Sequence, residues 1–252
     1  MSARLATRGL AVAWPGRPPL LAGLDLDIAP GARVGLVGPN GAGKSSLFLT
    51  LAGVLPAAGG SVEIDARPIR PGAFDPAVGL VFQHAEDQLF CPTLAEDVAF
   101  GPRNLGLSGP DLAARVAEAL EVCGLTELAD RPVHQLSGGE KRRACIAGVL
   151  AMRPGLMLLD EPSAALDLTS RRRLIRLLAG MDQTLLVASH DLELILDLCP
   201  RVLVIDAGRL QADGPTAAIL ADAALMAAHG QEVPPSLRPM PRASAAQRGA
   251  RS

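Results

Sequence analysis

Residues 38–45 read Gly-Pro-Asn-Gly-Ala-Gly-Lys-Ser and lie between two apolar runs, Val34 to Val37 and Leu47-Phe48-Leu49. The pattern is a short buried strand, a loop of three glycines and the start of a helix, which commits the chain to an α/β core. Gly38, Gly43, Lys44 and Ser45 fit G-x-x-x-x-G-K-[ST], the phosphate-binding loop of nucleoside triphosphatases. Glycines let successive N–H groups curl inward as an anion nest, and the helix beyond adds unpaired N–H groups and a positive dipole end. Lys44 is placed to reach the β and γ phosphates, and the Ser45 hydroxyl to hold Mg²⁺. The chain has 26 glycines but only two lysines, Lys44 and Lys141, so a chance match is on the order of a few in a thousand. The loop is read as a nucleotide site, with Pro39, Asn40, Gly41, Ala42 and Ser46 completing its wall.

Bulk properties narrow the partners. A chain of 252 residues suits one large domain or two intimate subdomains. Its formal charge of −2 provides no basic field for nucleic acid. Although 49% of residues are hydrophobic, no run approaches the ~18–20 apolar residues of a membrane span. Met1-Ser-Ala-Arg-Leu5 has no apolar signal core, so a cytosolic location is expected. Cys91, Cys123, Cys145 and Cys199 are widely spaced with no C-x-x-C, against a disulfide framework or a zinc site. His84 and Cys91 stand seven residues apart without a third ligand, so they are not expected to bind metal.

Further pieces follow in order. Leu5 to Trp14 and Leu24 to Ile28 read as antiparallel strands, and Trp14 is placed either to stack on an adenine ring or simply to pack. Ser46 to Val54 reads as a helix and Val62 to Asp65 as a strand after Gly59-Gly60. Val78 to Phe82 is a continuous apolar run, as in a parallel sheet covered on both faces, and it ends in Gln83. From Thr93 to about Met152 the period is helical. Ser108 with Asp111 makes a capping-box-like start, and Leu112, Val116, Leu120 and Cys123 share a face before Gly124. Leu136-Ser-Gly-Gly-Glu140 opens another helix; its free N–H groups either want an anion or belong to an ordinary capped turn. The run Leu156 to Leu159 ends in Asp160-Glu161, an acid suited to Mg²⁺ followed by one able to orient or deprotonate water. Ser163 to Asp167 is a loop, Ser170 to Leu178 a helix, and Thr184 to Ser189 a strand that delivers His190 towards a γ-phosphate. Val202 to Ile205 and Arg209 to Gln211 form a hairpin, and Pro215 to Ala228 a helix. Residues 231–252, rich in proline and arginine, read as a disordered basic tail.

With these pieces in order the chain resembles the ATP-binding subunit of an ABC transporter over roughly residues 4–230. The match rests on the phosphate loop (Walker A) at 38–45, Gln83, LSGGE at 136–140, LMLLDE at 156–161, SAALD at 163–167 and His190. Residues 81–108, 136–154 and 189–210 are similar to the energy-coupling-factor importers of the cobalt/nickel, CbiO/NikO-like type. The resemblance implies a P-loop NTPase (RecA-like) core with an N-terminal antiparallel β subdomain and a helical signature subdomain inserted at about 88–152. It implies ATP hydrolysis powering uptake of a transition-metal ion, most simply cobalt or nickel. A vitamin importer of the same class is the alternative, and a soluble non-transport ABC ATPase a more distant one. Two copies would pair head to tail, Ser137, Gly138, Gly139 and Glu140 of one closing on the ATP of the other across the dimer loop at Asp167. Glu161 would be the catalytic carboxylate, His190 the γ-phosphate switch and Gln83 the sensor of Mg²⁺ and attacking water. Mg²⁺ would sit on Ser45, Gln83 and Asp160. A membrane coupling subunit and a substrate-binding membrane subunit complete the expected complex, with this chain on the cytoplasmic face of a bacterial or archaeal membrane. Ala165 departs from the pattern, which often has glycine there.

Overall fold

The computed structural model describes residues 2–238. The first elements are β1 (Leu5–Val12), β2 (Leu21–Ile28), β3 (Arg33–Val37), α1 (Lys44–Leu51), β4 (Ala57–Ile64), β5 (Arg67–Pro68) and β6 (Val78–Val81). Three helices follow, α2 (Leu94–Asn104), α3 (Gly109–Val122) and α4 (Gly138–Leu150). The chain then runs through β7 (Leu156–Asp160), α5 (Leu168–Ala179), β8 (Thr184–Ala188), α6 (Leu192–Leu198), β9 (Arg201–Asp206), β10 (Arg209–Pro215), α7 (Thr216–Ala221) and α8 (Ala223–Ala228). One sheet has the order β10-β9-β3-β8-β7-β6 and is parallel except for β10. A separate antiparallel sheet has the order β2-β1-β4-β5. This is the α/β architecture the sequence led us to expect, and among the described residues no helix is long and apolar enough to cross a membrane.

The continuous apolar runs of the parallel sheet divide with period two, because successive side chains point to opposite faces. Val34, Leu36, Leu156, Leu158, Leu186, Ala188, Leu203 and Ile205 join a core with Leu47, Phe48 and Leu51 of α1 and with Leu10, Leu24 and Leu26 of the antiparallel sheet. Val37, Met157, Leu159, Leu185, Val187, Val202 and Val204 join the other core, with Val98, Leu120, Ile146, Leu174, Leu194 and Ile195 from the helices. Burial on both faces is why these strands carry no polar alternation. Cys123 lies in the second core, 3% exposed, as its place on the apolar face of α3 suggests.

Several local boundaries differ from the sequence reading. β4 starts at Ala57 and carries Gly59 and Gly60 within it, where its pairing with β1 shifts register between Arg8 and Ala11. Ser108 precedes α3 but makes no side-chain capping bond; Pro110 in the first turn presets the backbone instead. The final helix is two, divided at Asp222, whose carboxylate accepts from the amides of Ala224 and Leu225. α6 was not foreseen: it begins immediately after His190 and is capped by Asp191. Residues 231–238, read as the start of the tail, lie against the body. Val233 and Leu237 pack on the second core, and the Ser236 amide and hydroxyl donate to Glu193 at 2.9 and 2.7 Å. Two apolar residues and one serine outweigh the proline and arginine around them. The rest of the expected tail, 239–252, lies outside the described residues.

Candidate functional site

Four neighbouring parallel strands deliver the chemistry at their carboxyl ends, the edge where open α/β sheets bind ligands. β3 leads into the loop 38–45, β6 into Gln83, β7 into Asp160 and Glu161, and β8 into Ser189 and His190. They surround a cleft of about 670 Å³ lined by Trp14, Arg17, Leu20, Asn40, Gly41, Gly43, Lys44, Ser45, Ser46, Gln83, Asp160, Glu161 and His190. Gly38, Pro39 and Ala42 shape the loop behind it. Gly43, with φ of +97°, turns the chain into α1 through a conformation that side-chain-bearing residues avoid.

The cleft is built for an anion. No acidic residue occupies the first turn of α1 and no side chain caps it, so its positive end is open. Lys44 is 9% exposed, and its ammonium donates only to the carbonyls of Gly38 at 2.7 Å and Pro39 at 3.1 Å. Burial holds the lysine below its ordinary pKa, against the pull of Glu161 and Asp160. Burial likewise raises the Asp160 carboxyl, against the nearby Ser45 hydroxyl and Lys44. A phosphate would add a counter-charge for the ammonium, and a cation one for the carboxylate. Hydroxyl, amide and carboxylate oxygens of Ser45, Gln83 and Asp160 facing one cleft suit Mg²⁺, a hard ion that takes few protein ligands and keeps water or phosphate oxygens for the rest. At the outer end Trp14 is 46% exposed, and its Nε1–H donates to Ser46 Oγ at 3.2 Å. That bond orients a half-open aromatic face beside the phosphate loop.

Glu161 is 7% exposed and sits at φ +47°. Its carboxylate accepts from the His190 amide at 3.0 Å and the Ser189 hydroxyl at 3.2 Å, and its Oε2 lies 2.7 Å from His190 Nδ1. The pair is assembled, with the imidazole two-thirds exposed to the cleft. Asp191, next in sequence, accepts from the Arg171 guanidinium at 2.6 and 3.1 Å, from Ser163 Oγ at 3.3 Å and from the Leu194 amide at 2.9 Å. The His190 turn is thereby tied to the loop 163–167. Ala165 in that loop adopts φ +59°, the conformation a glycine would take without strain.

Ser137, Gly138, Gly139 and Glu140 do not line the cleft, nor does Asp167. Ser137 and Gly138 are exposed at the start of α4, where Ser137 and Glu140 form a reciprocal capping box. Asp167 is exposed and caps α5 through the Ser170 amide at 2.7 Å. Sequence reasoning missed Arg17 and Leu20, which reach the cleft from the loop after Trp14; an arginine just past Pro15-Gly16 was the available signal. It also missed Arg142, a buried arginine on α4 that contacts the Gln83 loop, for which no local motif exists.

Residues 21–164 match the family model of the ABC transporter. The chain is 45% identical to the cobalt import ATP-binding protein CbiO of Rhodobacter capsulatus, over 93% of this chain and 86% of that protein. It is 44% identical to the energy-coupling factor transporter ATP-binding protein EcfA of Methanothermobacter thermautotrophicus, over 87% of this chain and 73% of that protein. Among solved structures, CbiO1 from Clostridium perfringens, part of the ABC transporter complex CbiONQ, superposes with a TM-score of 0.79. That match has 31% identity and covers 90% of this chain and 94% of CbiO1.

Proposed function

Because the chain belongs to the ABC transporter ATP-binding proteins, of the CbiO and EcfA type, and is an ATP-hydrolysing transport ATPase, we propose that it works as a homodimeric motor for uptake of cobalt or nickel. One observation carries the two-chain reading. The phosphate loop, Gln83, Asp160, Glu161 and His190 converge on one cleft, while the glycine-rich start of α4 stands exposed outside it. A half-site of this kind is completed by the same segment of a second copy, paired head to tail, with Asp167 at the joint.

The placement of these residues supports the following roles. Trp14 covers the adenine, residues 38–46 cradle the phosphates, and Lys44 neutralises the β and γ oxygens. Ser45, Gln83 and Asp160 would hold Mg²⁺, which when bound supplies positive charge to the phosphate oxygens. Glu161 orients and deprotonates the attacking water, and His190, braced by Glu161, meets the γ-phosphate. Ser137 to Glu140 of the second copy exclude water from above. Cobalt as cargo is supported by the CbiO relative of Rhodobacter capsulatus, and nickel rests on the sequence resemblance alone. The EcfA relative, at nearly equal identity, is named for no cargo, and a vitamin importer of the same class stays the second reading. In either case the chain sits on the cytoplasmic face of the membrane with a coupling subunit and a substrate-binding subunit.

Glu161→Gln tests both levels. The purified variant is expected to bind ATP, dimerise in its presence and lose hydrolysis by about 10²–10⁴-fold, the scale of a missing general base. In cells lacking this chain, wild type should restore cobalt or nickel uptake and Glu161→Gln should not. Normal hydrolysis would remove Glu161 from its role, and metal uptake independent of the chain would sink the cargo assignment.

A further inference from the structure

Arg142 is 4% exposed, and among the described residues no carboxylate forms an ion pair with it. Its guanidinium is spent on main chain: Nη1 donates to the Phe82 carbonyl at 2.6 Å, and Nη2 to the Gln83 carbonyl. Burying an unpaired guanidinium is costly, so a fold that keeps one there ties two carbonyls firmly in return. The same helix face adds Lys141, whose Nζ lies 2.9 Å from Glu86 Oε1, and Cys145, whose Sγ donates to the Ala85 carbonyl at 3.7 Å. Glu86 is 70% exposed, so that pair is worth about 0–1 kcal/mol, and a thiol donor is weak. Arg142 is the firm link between α4 and the loop 82–86.

On the two-chain reading, the two ends of that link serve different nucleotides. Gln83 lines the cleft of its own chain, whereas Ser137 to Gly139, at the other end of the same turn and a half of α4, do not, although Gly138 shares a smaller pocket with Gln83. We propose that Arg142 is a positioning residue that couples the two ATP sites of the dimer: movement of Gln83 towards one γ-phosphate carries α4, and with it the segment that closes on the other. The proposal rests on the two-chain reading above. Charged donors to two adjacent carbonyls transmit displacement, and a lysine, a point charge on a flexible stem, lacks the planar fork that holds the two in fixed relation.

The test compares wild type, Arg142→Met and Arg142→Lys for the dependence of hydrolysis on ATP concentration, with thermal melting as a fold control. Wild type is expected to show a Hill coefficient near ~2, falling to ~1 in Arg142→Met and to between the two in Arg142→Lys, since two sites bound it at about two. A merely structural role would lower the melting temperature or kcat and leave the Hill coefficient unchanged; that result overturns the proposal. Should Arg142→Met fail to fold, Arg142→Lys decides by the same criterion. ATP-dependent dimerisation of Glu161→Gln separates the two levels. If that dimer forms and the Arg142 variants stay cooperative, the coupling role alone falls; if it never forms and wild type is non-cooperative, both readings fall.

Discussion

The two glycines at the start of α4 differ in what the fold asks of them. A Cβ on Gly139 would stand 2.6 Å from Ser170 Oγ and 3.0 Å from Ser170 Cβ, so a side chain there would make the Ser170 side chain on α5 rotate and give way. A Cβ on Gly138 would meet nothing within 4 Å. Among the described residues nothing packs close to this position, so packing does not explain the glycine, and the proposed two-chain site does. Gly138→Ala should therefore leave melting unchanged or raise it slightly, since alanine gains up to about 1 kcal/mol over glycine in a helix. Nucleotide binding by the single chain should persist. Hydrolysis should fall by about 10²-fold, the scale of one lost preorganised contact to the reacting phosphate. Full activity in this variant would remove residue 138 from the two-chain site.

Among elements, α5 and α6 are joined by the Arg171–Asp191 clamp, with side-chain exposures of 18% and 23%. Burial alone would raise the Asp191 carboxyl. Arg171 and the Leu194 amide outweigh it and hold the pKa below the ordinary value. A depressed carboxylate contributes stability that is fully present above its unfolded pKa and is lost as pH falls through the folded one. The loss is thus confined to pH below about 4, the ordinary aspartate value. Arg171→Ala is expected to cost about 1–3 kcal/mol, between the values for exposed and buried pairs. It should also flatten the acid limb of a plot of melting temperature against pH. An acid limb identical to wild type would show that another group governs it.

For the whole molecule, an apolar groove lies apart from the cleft and shares none of its lining residues. Phe74, Phe90, Phe100, Val149 and Met152 line a groove of about 480 Å³, with Phe90 and Phe100 packed edge to face at 4.7 Å between ring centroids. Phe90 is 63% exposed and Phe100 45%, and covering a phenylalanine contributes about 1.5–3 kcal/mol. On the function proposed above, this groove is an apolar contact offered to a membrane subunit. Phe100→Asp should keep ATP binding, lose co-purification with membranes, and abolish the uptake that wild type restores. Retained membrane association would place the contact elsewhere.

Much of the site was legible because its chemistry is local. Gly43, Lys44 and Ser45 act within one turn, Ser137 and Glu140 cap across three residues, and Asp160, Glu161 and His190 each end an apolar run long enough to be a strand. Spacing alone determined these, since backbone geometry ties neighbours in sequence to neighbours in space. What the sequence left open depends on chain far away. Arg142 meets Gln83 across 59 residues and Trp14 meets Ser46 across 32. The strand order that brings β3, β8, β7 and β6 side by side, the division of each apolar run between two cores, and the docking of 231–238 on Glu193 are likewise long-range. They come from packing, in which the free energy of burial selects among many arrangements that local preference cannot tell apart. The phosphate loop was therefore readable as a loop, and its completion by a second copy was what the family resemblance implied; the tertiary structure adds that the other glycine-rich helix start does not line the cleft.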